Sequence, residues 1–200
     1  MAALLLAAGA GRRLGAPKAL LRHADGRSWV ERAAGRLVAG GCGPVVVVVG
    51  ARASDVAALV PPHLVPPGDV IEAAGWNEGM GASLRAGLVA LGARREPADA
   101  ALVALVDTPG MTSAVVERVV AAAAGPGVLA RAAFDGVPGH PVLIGREHWA
   151  GVRAAARGDA GARGYLRDRP VRLIECGDVG TGLDVDTRAA LVAVPPIVDA

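Results

Sequence analysis

Apolar residues fall in short, nearly unbroken runs separated by stretches with helical spacing. Ala2–Ala8 and Ala100–Val106 each read as a strand, and Val45–Val49 is five valines in succession. Runs that are apolar at every position fit strands covered on both faces, as in parallel sheets. Weaker strands are predicted at Asp69–Ala73, Val128–Ala132, Val142–Ile144 and Val171–Glu175. Helix-like segments lie between them: Arg27–Ala39 with Ser28 near its start, Ser54–Val60 with Ser54 as N-cap, and Ser83–Ala93. Thr112–Ala124, Arg146–Arg157, Ala160–Arg167 and Thr187–Val194 complete the helical set. Strands alternating with helices predict an α/β fold around a mostly parallel sheet. No repeat or long linker interrupts the pattern, so residues 1–200 are expected to form one domain.

Composition sharpens this picture. The chain is 52% hydrophobic with only five aromatic residues, Trp29, Trp76, Phe134, Trp149 and Tyr165. The core is therefore aliphatic, and a stacking platform for single-stranded nucleic acid is excluded. Gly 28 and Pro 14 point to many turns. Net charge is +2 with the signs well mixed and no basic run longer than two residues, so no duplex-binding footprint is visible. Cys42 and Cys176 lack metal spacing, which favours a reducing, cytoplasmic setting. The apolar N-terminus stops at Gly9, too short to span a bilayer, so no membrane partner is expected. One number is odd: of 21 basic residues, a single one is lysine, Lys18. Arg and Lys are not physically interchangeable. Base bias is one account of the excess of Arg; a requirement for Lys at that place is another.

In parallel sheets ligands bind beyond the C-terminal strand ends, so the chemistry is sought in the loops that follow the strands. The first runs Gly9-Ala-Gly11-Arg12-Arg13-Leu-Gly15-Ala-Pro-Lys18. Glycines let backbone N–H groups approach phosphate oxygens, and Arg12, Arg13 and Lys18 add positive charge. A Gly-rich turn with solvated charges is the alternative. Gly-Lys-Ser/Thr is absent, so the loop is not a P-loop. Pro17 interrupts the helix a dinucleotide fold would start here, and strand two ends at Gly50-Ala51-Arg52 without an acid. A nicotinamide site is demoted accordingly, although Arg52 could accept a 2′-phosphate.

The third strand leads into Gly79-Met-Gly81-Ala-Ser83, either a wall for a base or ribose or a flexible turn with Ser83 capping a helix. The fourth ends in Asp107-Thr-Pro-Gly. A hard carboxylate at that edge suits Mg²⁺; capping the Thr112 helix is the alternative. Asp184-Val-Asp186 places two carboxylates on one side if extended, a pairing that a cation or solvent must relieve. Asp186 could instead cap the last helix. His140, between Gly139 and Pro141 ahead of a strand, is the histidine best placed to touch a ligand. Asp159 reads equally as an N-cap or a ligand contact.

Together these motifs resemble the nucleotidyltransferase family that includes molybdenum cofactor cytidylyl- and guanylyltransferases. The resemblance rests on residues 6–18, Gly79–Gly87, Leu105–Pro109, Gly139–Val142 and Asp184–Thr187. It implies a Rossmann-like three-layer sandwich of the nucleotide-diphospho-sugar transferase kind. It implies that the first loop, with Ala7, Ala8, Gly9, Gly11, Arg12 or Arg13, and Lys18, holds a nucleoside triphosphate. Gly79, Gly81 and Ser83 would add to the nucleotide site. Asp107 would bind Mg²⁺, with Asp186 favoured over Asp184 as second ligand, and His140 would orient the acceptor. The Leu-Ala-Ala-Gly form of the loop resembles the cytidylyl branch and favours CTP. The implied reaction is transfer of NMP to a phosphorylated small-molecule acceptor such as molybdopterin, with release of pyrophosphate. Relatives resembling nicotine blue oxidoreductase, described as NAD(P)H-dependent, keep a redox reading open. A nucleotide-binding accessory role toward a molybdoenzyme is a third. Arg188 follows Asp-Val-Asp-Thr where the family usually has Pro and an acid, a local departure.

Overall fold

The structure, a computed structural model, describes residues 1–185. The predicted closing helix Thr187–Val194 lies outside the described residues, as does Asp186. Strands β1 (Ala2–Leu6), β2 (Val45–Val49), β3 (Val70–Glu72) and β4 (Ala100–Leu105) run parallel. They are followed by β5 (Leu129–Phe134), β6 (Val137–Gly145) and β7 (Arg172–Glu175). Among the described residues the seven strands form one sheet in the order β3-β2-β1-β4-β6-β5-β7. β6 is antiparallel to both β4 and β5. The expected mostly parallel α/β sheet is thus observed, with one strand reversed.

Helices cover both faces, which makes three layers. Odd positions Ala3, Leu5, Val45, Val47 and Val49 pack into one cluster with Trp29 and Leu37 of α1 (Trp29–Ala39) and Val115, Val116 and Val119 of α4 (Ser113–Val120). Val56 of the short α2 (Ala53–Ala57) joins them. Even positions Ala2, Leu4, Leu6, Val46 and Val48 face Leu84 and Leu88 of α3 (Met80–Gly92) and Trp149 and Val152 of α5 (Trp149–Ala155). The valine run works because each face receives alternate residues.

Local signals set several boundaries. Ser28 caps α1, its hydroxyl accepting from Glu31 N at 3.2 Å, and Thr112 caps α4 in the same way. Other boundaries moved. Ser54 does not cap α2: the chain turns into that helix through Arg52 in the left-handed region, φ 53°. α3 begins at Met80, so Ser83 is not a cap but a buried residue of its first turn. The brief strand predicted at Val142–Ile144 is nine residues long, and His140 lies inside it rather than in a loop. The helix expected over Arg146–Arg157 is a 3-10 turn leading into α5, and the one over Ala160–Arg167 shrinks to α6 (Arg163–Leu166).

Ser28 is fully buried, so its capping bond has no water to replace it. Ser28→Ala is expected to cost about 1–2 kcal/mol, read as a lower urea midpoint with unchanged slope.

Candidate active site

The strand order reverses between β1 and β4: the chain moves outward from β1 through β2 to β3, then returns to β4 on the other side. A crevice opens at the carboxyl edge of such a point. The loop after β1 and the loop after β4 flank it. Lys18 Nζ donates to Asp107 Oδ2 at 2.7 Å across a separation of 89 residues. The side chains are 14% and 22% exposed. The two residues singled out by sequence are therefore partners at the predicted edge.

Asp107 Oδ1 is buried and has no hydrogen-bond partner among the described residues. A buried carboxylate oxygen is normally satisfied. A hard cation or its water would meet that need, with Asp107 as a single carboxylate ligand; among the described residues no group of three or more His, Cys, Asp or Glu side chains gathers to hold a metal ion. The alternative role for Asp107, capping α4, falls to Thr112 instead. The segment after β7 crosses above the same edge. Thr181 N donates to Gly110 O, Thr112 Oγ1 to Val179 O, and Val185 N to Asp107 O. Asp184, which is exposed, thereby sits one residue from a direct backbone bond to Asp107.

The first loop is built by two different glycines. Gly11 has φ 60°, and its carbonyl accepts from Leu14 N and Gly15 N. A Cβ at Gly11 would lie 1.8 Å from Ala16 O, so the turn itself requires glycine. Gly9 is different: a Cβ there meets nothing within 4 Å, and its φ is not positive. The fold leaves that space open to a ligand. Ala7 and Ala8 are buried and held by main chain: Ala7 N donates to Val48 O, and Ala8 O accepts from Ala51 N. Arg12 and Arg13 are exposed at the loop tip.

The second wall is the start of α3. Gly79 adopts φ 118°, and a Cβ there would lie 2.5 Å from Asp159 Oδ1. Gly81 packs against the backbone of Ala156 and Arg157. Asp159 accepts from Met80 N at 3.4 Å, so it serves α3 rather than the helix that follows it in sequence. Arg52, the candidate for a 2′-phosphate, is exposed and donates to Asp55 at 2.7 Å.

On the far side of Asp107, His140 donates a long bond from Nδ1 to Val103 O, 3.5 Å. Burial, with repulsion from Arg131 and Arg163, pushes its pKa down to about 4, against a favourable bond to Val103 and the charge of Asp107. The imidazole is neutral at physiological pH. Two arginines here have roles that loop motifs did not reveal. Arg36, buried in α1, donates to Pro109 O at 2.7 Å and ties that helix to the Asp107 loop. Arg131 on β5 donates through Nε and Nη2 to Gly139 O at 3.1 and 2.9 Å. The available signal was a charge at an apolar-phase position: Arg36 beside Leu37, Arg131 within Leu-Ala-Arg-Ala-Ala.

The family model of the MobA-like NTP transferase domain matches residues 3–173. The chain belongs to this family. Membership places it among nucleotidyltransferases. It is 42% identical over 197 residues to a protein of Paenarthrobacter nicotinovorans called nicotine blue oxidoreductase, covering 92% of this chain and 91% of that one. Among solved structures, Rv0371c of Mycobacterium tuberculosis in complex with manganese is similar at 27% identity and TM-score 0.70, covering 96% of this chain and 98% of that one. A nucleotidyl transferase of Methanothermobacter thermautotrophicus shares the fold, with TM-score 0.73 at 20% identity over 96% and 94% of the two chains. That similar structure thus holds a divalent metal. No helix among the described residues is long and apolar enough to cross a membrane.

Two outcomes are expected. Gly9→Ala folds with unchanged or slightly raised stability but loses triphosphate affinity, whereas Gly11→Ala loses more than about 1 kcal/mol of stability; denaturation and nucleotide titration separate the two. For His140 the folded pKa lies below the unfolded value, so the unfolded chain binds the extra proton as pH falls. Its contribution costs about 2 kcal/mol between pH 7 and pH 5, and His140→Gln flattens that slope in urea titrations at the two pH values.

Proposed function

We propose that the protein is a Mg²⁺-dependent nucleotidyltransferase that moves NMP, with CTP favoured as donor, to a phosphorylated small-molecule acceptor such as molybdopterin. The observation that carries this reading is the Lys18–Asp107 pair, with the second Asp107 oxygen unsatisfied, at the point where strand order reverses. The acceptor oxygen forms a bond to the α-phosphorus as the bond to the bridging oxygen breaks, and pyrophosphate leaves. Such a reaction depends on positioning and charge neutralisation more than on a protein nucleophile.

Backbone N–H groups of the Gly9–Gly15 loop cradle the triphosphate, and Lys18 exchanges its carboxylate partner for phosphate oxygens. A compact ammonium suits that exchange better than a guanidinium, which would hold the carboxylate in a two-toothed grip. Arg12 or Arg13 at the loop tip offsets charge developing on pyrophosphate. Asp107, with Asp186 or Asp184, would hold the cation. When bound, Mg²⁺ supplies charge neutralisation between the α-phosphate and the leaving group. Gly79, Gly81 and Ser83 form the base and ribose wall through main chain, because Ser83 is buried. His140, neutral and with its Nδ1–H directed to Val103 O, presents Nε2 as a hydrogen-bond acceptor that orients a donor group of the acceptor.

The redox reading has one specific support, the name of the 42% identical relative. Against it stand the exposed Arg52–Asp55 pair and the lack of a helix directly after the glycines. Thermal-shift titration with CTP, GTP, ATP and NADPH, each with and without Mg²⁺, separates the two. A metal-dependent shift with CTP is expected; a metal-independent shift with NADPH alone overturns the transferase reading. In the same assay Asp107→Asn abolishes the metal dependence, and in a pyrophosphate-release assay Lys18→Ala lowers turnover about 10²-fold.

A further inference from the structure

Four glycines beside the crevice are glycine for want of space. None of Gly110, Gly139, Gly180 and Gly182 has a positive φ, so conformation does not demand glycine at these positions. Close approach does. A Cβ at Gly110 would overlap Thr181 Oγ1, and one at Gly180 would lie 2.6 Å from both Gly110 O and Val115 Cγ2. One at Gly182 would overlap the ring of Phe134, the single phenylalanine of the chain. The same edge of that ring meets Gly139, where a Cβ would stand 2.9 Å from Cε2. Gly139 is itself fixed, because its carbonyl accepts both bonds from Arg131. The ring therefore sits directly between two stretches of main chain.

These contacts seat the chain that leaves β7. At its root the Glu175 carboxylate accepts from Asp135 N and Gly136 N, both at 3.0 Å, and from Gly177 N at 2.9 Å. Arg118 of α4 grips Asp178 through both terminal nitrogens. Farther along, Gly182 rests on Phe134, and Val185, 2% exposed, donates its N–H to Asp107 O at 3.1 Å. Only Leu183 and Asp184 lie between those two fixed points, and both are exposed. The place of Asp184 is thus set from two directions: by the Phe134 ring, and by the main chain of Asp107, whose buried Oδ1 lacks a partner.

We infer that Phe134 is a positioning residue for the cation site: by bearing the chain at Gly182 it fixes where the Asp184 carboxylate stands relative to Asp107. The inference rests on the nucleotidyl-transfer reading for the presence of the cation. Hard cations are held by carboxylates already in place, and groups that orient a ligand without touching the metal govern affinity nearly as the ligands do. A ring set against main chain passes on a displacement, since no flexible side chain lies between to absorb it. The same geometry predicts a specific coupling. The methyl added by Gly182→Ala competes with the ring for space, so removing the ring makes room for it.

Mn²⁺ alone is titrated into the full chain, and the free ion is measured by electron paramagnetic resonance. Wild type is compared with F134A, F134L, G182A, D184N and the double variant F134A/G182A. F134A and G182A are each expected to weaken Mn²⁺ binding about tenfold, and D184N at least as much. F134L, which keeps a large apolar side chain against Gly182, should lose less than F134A. In the double variant the losses do not add, and affinity is no lower than in F134A. Urea midpoints on the same proteins separate this effect from a loss of stability, and G182A with F134L carries the comparison if F134A fails to fold. Unchanged affinity in D184N or in the folded Phe134 and Gly182 variants, or losses that sum in the double variant, overturns the inference. Mn²⁺ that binds through Asp107, as a loss in D107N shows, yet is indifferent to Phe134 and Gly182 removes the inference and leaves the transferase reading standing. A wild type that takes no Mn²⁺ removes the cation site and the inference together.

Discussion

One contact organises the site: the lysine ammonium against the Asp107 carboxylate at the reversal of strand order. As a partly buried ion pair it adds little net stability, because desolvation of both groups offsets their attraction. Its importance is positional. It joins a loop from the first strand to a loop from the fourth, and so fixes the width of the crevice between them. The Arg36 bond to Pro109 and the Val185 bond to Asp107 hold the second loop from behind and from above. The Gly11 turn delivers Lys18 from the other side. Remove the pair and these devices hold two loops with no fixed relation to one another.

The same contact explains the lone lysine. In a chain that uses Arg at every other basic position, the ammonium stands where, on the proposed reading, a cation pairs with a carboxylate in one state and with phosphate in another. A guanidinium forks onto a carboxylate and is slow to yield it; an ammonium is a point charge on a flexible stem. Base bias accounts for the excess of Arg elsewhere without accounting for this position.

Much of this was readable from the chain. Strands apolar on every residue, such as Val45–Val49, can only be covered on both faces, so the layer architecture follows from them. Ser28 and Thr112 act as caps because their hydroxyls have a local backbone partner whatever the tertiary context. Asp107 and Lys18 were legible because each ends a strand or a Gly-rich loop. The misses share a cause. β6 has Gly139 and Pro141 in its first half, which read as loop, and pairing with β4 and β5 makes it strand nonetheless. α3 starts early because Asp159, 79 residues away, satisfies Met80 N. Arg36 and Arg131 acquire meaning only through partners that topology supplies. Segment 181–185 is informative through backbone bonds that no side-chain motif announces.

The turn between β5 and β6 is Asp135-Gly136, both with positive φ, the tightest link two antiparallel strands allow. It projects from the sheet edge on the side of Arg131 and His140. Extra residues inserted there would lengthen one wall of the crevice and leave the strands, the glycine loop and the ion pair untouched. On the proposed reading, a change confined to this turn would alter which acceptor fits and leave the triphosphate cradle as it is.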